Sequence, residues 1–488
     1  MTKLTHFTLK IKADLSKLSD TDIAWSLALF VILTKVAWLD SPLHWDEIDV
    51  YGMPVLNLYW KGLGLLDYPE TFTFNPFGAQ LITYFAVKIL GFAPWVLKFH
   101  ALISSAVSTS LLYLISRRFI PTYPAILTCL CFSLNPTQYY LSDRYLGEVL
   151  ALPFLMAYVY CYFTKHPVAT ALFGFSLGWL RQTTIAFSAL NFGLRRPQGI
   201  KDWVLLGLPF LSVLSFMGYL QFFSGNVFAH QTFAEGRFNW DNFLGHGMRN
   251  GSLLTFYAQG KWILTGLLAV GCLSFFARKR PDKSTVAFYL LGLGLVCLAF
   301  ILFLAFDNGS ILRYYQLILP FQILAVFLLF RTRFMSTIAA CLILPVGFAY
   351  YYQVDDGYPQ ESLENYRTVT SLSSQMGWHL DQMNIEKPIL TGWPFPNMFR
   401  VPEIGYVNKT HPIEGYDELH YFDLPEDGPQ RDQYLRSIHF EYILAGSLTD
   451  QVIRDLADEL LAEKKLKSIK RFESGDLYIE LYQKVNQP

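Results

Sequence analysis

Three carboxylates crowd the four positions that follow Trp45: Asp46, Glu47 and Asp49 in the segment HWDEIDVYG, with Tyr51 just beyond. They stand where the first long apolar run ends, and an ionised group at a lipid–water boundary is costly unless it is solvated or used. A second acidic group, Asp143 and Glu148 in NPTQYYLSDRYLGEVLALPF, brackets Arg144. Lys98, His100, Arg181 and Arg313 fall at other expected helix ends. These residue types suit transfer of a group onto a hydroxyl, in which a carboxylate accepts the proton of the attacking oxygen while Arg or Lys stabilises a departing phosphate. The plainer reading is a solvated acidic loop, with cations that snorkel to the interface.

The elements that must position these residues are read from hydropathy. The chain has 488 residues, of which 52% are hydrophobic, 17% aromatic and 16% charged, which places it in the membrane class. About eleven apolar runs span 22–39, 95–116, 122–140, 147–163, 167–181, 183–194, 202–223, 255–277, 285–306, 312–330 and 334–352. Most are long enough to cross a hydrocarbon core as helices. With the N-terminus in the cytoplasm, the basic clusters Arg117–Arg118, Lys165, Arg195–Arg196, Arg278–Arg280 and Arg331 with Arg333 all lie inside, as the positive-inside rule requires. The acidic connections then lie outside, and so does the segment after the last run. No cleaved leader is expected, since the N-terminal segment lacks a short apolar core followed by a small-residue cleavage site. The six cysteines sit in apolar runs without metal-ligand spacing, so no structural disulfide is expected. Zero net charge points away from a nucleic-acid partner.

Two parts stand apart from the runs. The first connection, 40–94, is far longer than a bundle turn, and its stretches 51–66 and 77–91 suit helices lying at the membrane surface. The polar tail, 353–488, reads as a small α/β domain: a helix near 362–381, strands in PILTGW and FEYILAGS, an amphipathic helix over 449–464, and strands over 467–473 and 477–484. It has no glycine-rich phosphate cradle and no nucleophile motif, so the chemistry is expected in 1–352. The loop 224–253 carries Arg237 and Arg249, candidates for substrate contacts alongside Asp49, Tyr51 and Asp143.

The order of these features resembles the GT-C glycosyltransferases, the superfamily that includes protein O-mannosyltransferases and the transferases that add aminoarabinose to lipid A. HWDEIDVYG is similar to the acidic pair that follows their first helix, and LSDRYLGEVLALPF to their second acidic motif, with Glu148 at the acid's place. GFSLGWLRQTT resembles the next segment, with Arg181 in place of a Lys, and ILRYYQLILPFQIL resembles an Arg-Tyr-Leu-Leu-Pro helix that puts Arg313 and Tyr314 at its head. The chain departs from the pattern after the first loop, where Asn75 stands for a His and Phe77 for a Pro.

The resemblance implies an α-helical polytopic membrane protein of GT-C type with about eleven transmembrane helices and a C-terminal soluble α/β domain on the external face. It implies sugar transfer from a polyprenyl-phosphate donor to a lipid, glycan or protein acceptor, with inversion at the anomeric carbon. Asp46 would be the general base with Glu47 and Glu148 as further catalytic acids, and Lys98, Arg144, Arg181, Arg313 and Tyr314 would hold the donor phosphate. No cofactor is required, although Glu47-x-Asp49 has the spacing to hold a divalent metal. The setting would be a bacterial plasma membrane. A transporter or lipid flippase, or a polysaccharide polymerase or ligase of another fold, are the competing readings.

Overall fold

The computed structural model describes residues 18–72, 75–181, 184, 197–225, 261–276, 316–350, 363–383, 385–415, 438–447, 449 and 451–485. The chain forms two compact units. One comprises Met1–Leu39, Pro54–Ile89 and Leu97–Ser362, and the other Asp40–Met53, Leu90–Val96 and Leu363–Pro488.

The first unit is helical. Its described helices are α1 (Asp20–Lys35), α2 (Met53–Lys61), α3 (Gly78–Leu90), α4 (Pro94–Ser116), α5 (Thr122–Ser133), α6 (Pro136–Leu141), α7 (Gly147–Phe163), α8 (Pro167–Leu180), α9 (Ile200–Ser224), α10 (Lys261–Phe276), α11 (Leu319–Leu329) and α12 (Arg333–Tyr350). Helix α1 starts on a capping box in which Ser19 Oγ accepts from the Asp22 N–H while Asp22 accepts from Ser19 N–H. Among the described residues, Asp20–Trp38, Pro94–Ser116 and Ile200–Ser224 are long and apolar enough to cross a membrane. The run expected over 122–140 is two helices. Asn135 leaves the helical path and caps α6 through its side chain, which accepts from Thr137 N–H, and Pro136 begins the new helix because it needs no donor there. The run 285–306 and nearly all of 183–194 lie outside the described residues.

Ile23, Tyr113, Phe132, Leu155, Tyr158, Leu324, Phe327 and Ala339 meet in the core of this unit. Large apolar side chains also face outward, among them Trp25, Leu33, Ile89, Leu172, Ile200 and Phe222. That inversion is unfavourable in water and neutral in lipid, where only the backbone must be satisfied internally. With lipid outside, helix association depends on close packing, and small residues supply it. A Cβ at Gly178 of α8 would come within 2.6 Å of Ser212 Oγ and of Val213 N on α9, and Ser212 Oγ accepts from Gly178 N–H at 3.0 Å.

The second unit is built on a five-stranded sheet, with β1 (Ile389–Thr391), β2 (Ile413–Gly415), β3 (Tyr442–Gly446), β4 (Leu466–Ser474) and β5 (Leu477–Lys484) in the order β2-β1-β3-β5-β4. β1 runs parallel to β2 and β3, while β5 is antiparallel to β3 and β4. Three further helices belong to this part of the chain: α13 (Leu363–Met383), the short α14 (Phe395–Arg400) and α15 (Gln451–Ala462). The face of α15 that carries Ile453, Leu456, Ala457 and Leu460 packs on Leu390, Ile443, Ala445 and Tyr482 of the sheet.

The end of α13 is tied to the chain leading into β2. Asp381 Oδ2 accepts from the backbone and side-chain N–H groups of Asn408, at 2.8 and 2.9 Å, and Asp381 Oδ1 lies 2.9 Å from His411 Nε2. Burial opposes ionisation of Asp381, yet these partners hold its carboxyl below the usual carboxylate range. A carboxyl depressed on folding stabilises fully above its unfolded value, about pH 4, and loses that contribution as pH falls through the folded value. Asp381→Asn is therefore expected to unfold at lower temperature near neutral pH and to show a flatter acid limb than the wild type. The check is hydrogen exchange of 404–411 followed across that pH range.

Candidate active site

The acidic turn belongs to the second unit, and its shape begins with Trp45. This bulky residue holds φ at +50°, in the left-handed region that side chains of its size rarely enter, and such strain persists only where the surroundings enforce it. The chain then coils as a π-helix over Glu47–Gly52, an irregularity frequent at functional sites. Gly52 is required by this coil, since a Cβ there would stand 2.6 Å from Glu47 O.

The three carboxylates of the turn differ in their surroundings. Glu47 is buried and folds back so that Oε2 accepts from the backbone N–H of His44 at 3.2 Å. Asp49 is half-buried, with Oδ1 accepting from Asn397 Nδ2 at 2.7 Å. Asp46, at the head of the turn, is half-buried as Asp49 is. Tyr51 is buried. A sequence window cannot separate three neighbouring acids; their distinct environments come from the strained coil.

The helical unit carries its own polar cluster at helix ends. Lys35, in the last turn of α1, pairs with Asp143 at 3.0 Å, both nearly inaccessible, and its ammonium lies 4.1 Å from the centre of the Tyr139 ring. Arg144 and Lys98 are buried and act electrostatically on the same carboxylate, and the Arg144 guanidinium lies over the Tyr140 ring at 5.0 Å. In the first turn of α7, buried Glu148 pairs with Arg181, the residue that ends α8, at 2.7 Å. Beside them Tyr145 donates to Thr83 Oγ1 at 2.6 Å, and Thr83 Oγ1 also meets His100 Nδ1.

Among the described residues, Lys35, Lys98 and Arg144 act on Asp143, and Arg181 pairs with Glu148. Buried charges of this kind persist where opposite charges and hydrogen bonds compensate their lost solvation. Lys98, for which snorkelling to the interface is the plainer reading of the sequence, is instead inside the bundle, and Arg144 is buried as well: each is at most 3% exposed.

The structure brings Asp143, Arg144 and Lys98 together with Lys35, pairs Glu148 with Arg181, and carries Asp46, Glu47, Asp49 and Tyr51 on the turn. Arg237, Arg249, Arg313 and Tyr314 lie outside the described residues. Lys35 was not singled out by its sequence position, although a lone ammonium in the last turn of an apolar span is a signal in itself. Asn397 left no signal in the sequence, because its role depends on a contact across 348 positions.

The chain shares its fold with solved structures of ArnT. Among solved structures it is similar to ArnT from Cupriavidus metallidurans bound to undecaprenyl phosphate, with 13% identity, a TM-score of 0.57, and coverage of 93% of this chain and 96% of that one. The apo structure of the same protein is similar at 14% identity and a TM-score of 0.55, covering 93% and 97%. The Archaeoglobus fulgidus oligosaccharyltransferase in complex with zinc and sulfate matches at 12% identity and a TM-score of 0.48, over 88% of this chain and 68% of that chain. No family model and no curated protein matches the sequence.

The buried cluster makes an asymmetric prediction. Asp143→Asn leaves Lys35, Arg144 and Lys98 facing one another and is expected to cost about 3–5 kcal/mol, the range for breaking a buried pair. Lys35→Met should cost less, because Arg144 and Lys98 still face the carboxylate. Thermal unfolding of the purified variants in detergent orders the two.

Proposed function

We propose that the chain is a membrane glycosyltransferase that moves a sugar from a polyprenyl-phosphate donor to a hydroxyl acceptor, a lipid, glycan or protein, with inversion. The observation that carries the reading is the acidic turn itself, a strained coil with half-buried Asp46 at its head and with Glu47 and Asp49 in hydrogen bonds that shape it. Support for the donor class comes from the Lys and Arg side chains buried at helix ends of the helical unit and from the fold shared with ArnT, whose solved structure holds undecaprenyl phosphate.

In the proposed reaction the acceptor oxygen attacks the anomeric carbon as Asp46 takes its proton. The bond from that carbon to the phosphate oxygen breaks, and the polyprenyl phosphate leaves with the electron pair and the negative charge. Lys98, Arg144 and Arg181, with Lys35 added to them, stabilise the departing phosphate, and Arg313 and Tyr314 remain candidates for the same role. Glu148 orients Arg181, and Glu47 shapes the turn. No step in this scheme calls for a metal; Glu47 and Asp49 are the residues that would hold one. Residues 1–352 form the catalytic membrane part, with about eleven spans, and 353–488 form an external domain, in a chain seated in a bacterial plasma membrane.

Sugar transfer from a radiolabelled polyprenyl-phosphate-sugar panel tests this in membranes with matched expression. Removing a general base lowers rate by about 10²–10⁴-fold. Asp46→Asn is expected to show that loss while still retaining donor. Transfer at the wild-type rate would remove Asp46 from the role, and absence of transfer by the wild type across the panel would count against the donor class.

A further inference from the structure

The acidic turn and the C-terminal sheet domain are one compact unit, although some 310 residues separate Met53 from Leu363. The turn is fastened at four points by residues of that domain. Tyr366 of α13 donates to Pro42 O at 2.9 Å, and its ring meets His44 edge-on at 5.3 Å. Trp393, in the short segment after β1, packs against Trp45 with ring centres 5.1 Å apart. Asn397, on α14, donates through Nδ2 to Asp49 Oδ1.

These contacts are unequal in kind. The first three are ordinary packing and backbone anchoring, whereas Asn397 engages a carboxylate of the motif itself. The Asn397 amide fixes the direction of the Asp49 carboxylate through a hydrogen bond from a neutral donor. The Trp45–Trp393 contact carries a cost: both indole N–H groups are buried with no acceptor among the described residues. A buried unsatisfied donor is destabilising, so a junction with two of them is poorly explained by stability alone. It holds Trp45 in its left-handed conformation, one residue before Asp46.

We propose that Asn397 is a positioning residue: with Trp393 it belongs to the active site, fixing Asp49 and the turn that presents Asp46, so that the C-terminal domain is a component of catalysis. This rests on the glycosyltransferase reading for its consequence in rate, but the contact itself can be tested without activity.

The experiment is hydrogen exchange of residues 44–53 in the full-length protein, run beside donor-dependent transfer, for Asn397→Ala, Asn397→Asp and the reciprocal pair Asn397→Asp with Asp49→Asn. Each single variant should speed exchange of 44–53 about tenfold or more, Asn397→Asp the more so because it sets two carboxylates together. The reciprocal pair restores an amide-to-carboxylate hydrogen bond with the donor on the other side and should return exchange to the wild-type level, which a general folding defect would not allow. In the transfer arm, Asn397→Ala should lower kcat about ten- to a hundredfold with the donor KM unchanged. Unaltered exchange in both single variants, a reciprocal pair that fails to restore it, or wild-type kcat in Asn397→Ala would each overturn the proposal. Restored exchange in the pair, with no transfer by the wild type from any donor, would sink the glycosyltransferase reading and leave the contact standing.

Discussion

A charge moved out of water into a helical bundle loses several kcal/mol of solvation even after relaxation, and a membrane setting offers little water with which to recover it. Lys35 and Asp143 meet that constraint by facing each other at 3.0 Å, and the rest of the polar cluster is arranged around the pair. Because Asp143 is bracketed by Lys35, Arg144 and Lys98, the turn between α6 and α7 is fixed to the last turn of α1. The break at Asn135 and Pro136 makes this attachment feasible. A continuous helix over 122–140 would have carried the residues that follow along its own axis instead of reorienting them through the short helix α6. Glu148 and Arg181 perform the same service between α7 and α8.

The acidic turn is organised on a different basis. Its residues are held by hydrogen bonds to neutral partners, a backbone N–H for Glu47 and a side-chain amide for Asp49. Each arrangement thus has its own local physical cause, charge pairing in the helical unit and hydrogen bonding on a strained coil in the turn.

Much of the architecture was legible because it rests on local periodicity. The apolar runs over 95–116, 147–163 and 202–223 became helices within one to two residues of the expected ends, and the strands over 467–473 and 477–484 became the β4–β5 hairpin. The second half of 122–140 was misread because hydropathy does not register a capping Asn followed by Pro. The three-residue β2 was missed because it is too short to show a period. At the site, Asp46, Glu47 and Asp49 were visible as a cluster, but their separate environments depend on Trp45 at positive φ and on Asn397, which no window around the motif contains. The snorkelling alternative for Lys98 does not hold, since the side chain is buried, and snorkelling and burial look alike in sequence until the surroundings are located.

The pairing of Pro42 with Tyr366 and of Asp49 with Asn397 has a consequence for how the protein is made. These partners are 324 and 348 positions apart. At typical elongation rates residue 397 follows residue 49 by roughly 20–70 s, and during that interval the acidic turn has its local bonds but none of those made by the C-terminal domain. The turn takes its final form only after the sheet domain has emerged and folded. A growing chain therefore holds an unfinished turn until synthesis has passed α14, so that the ordered turn marks a completed molecule.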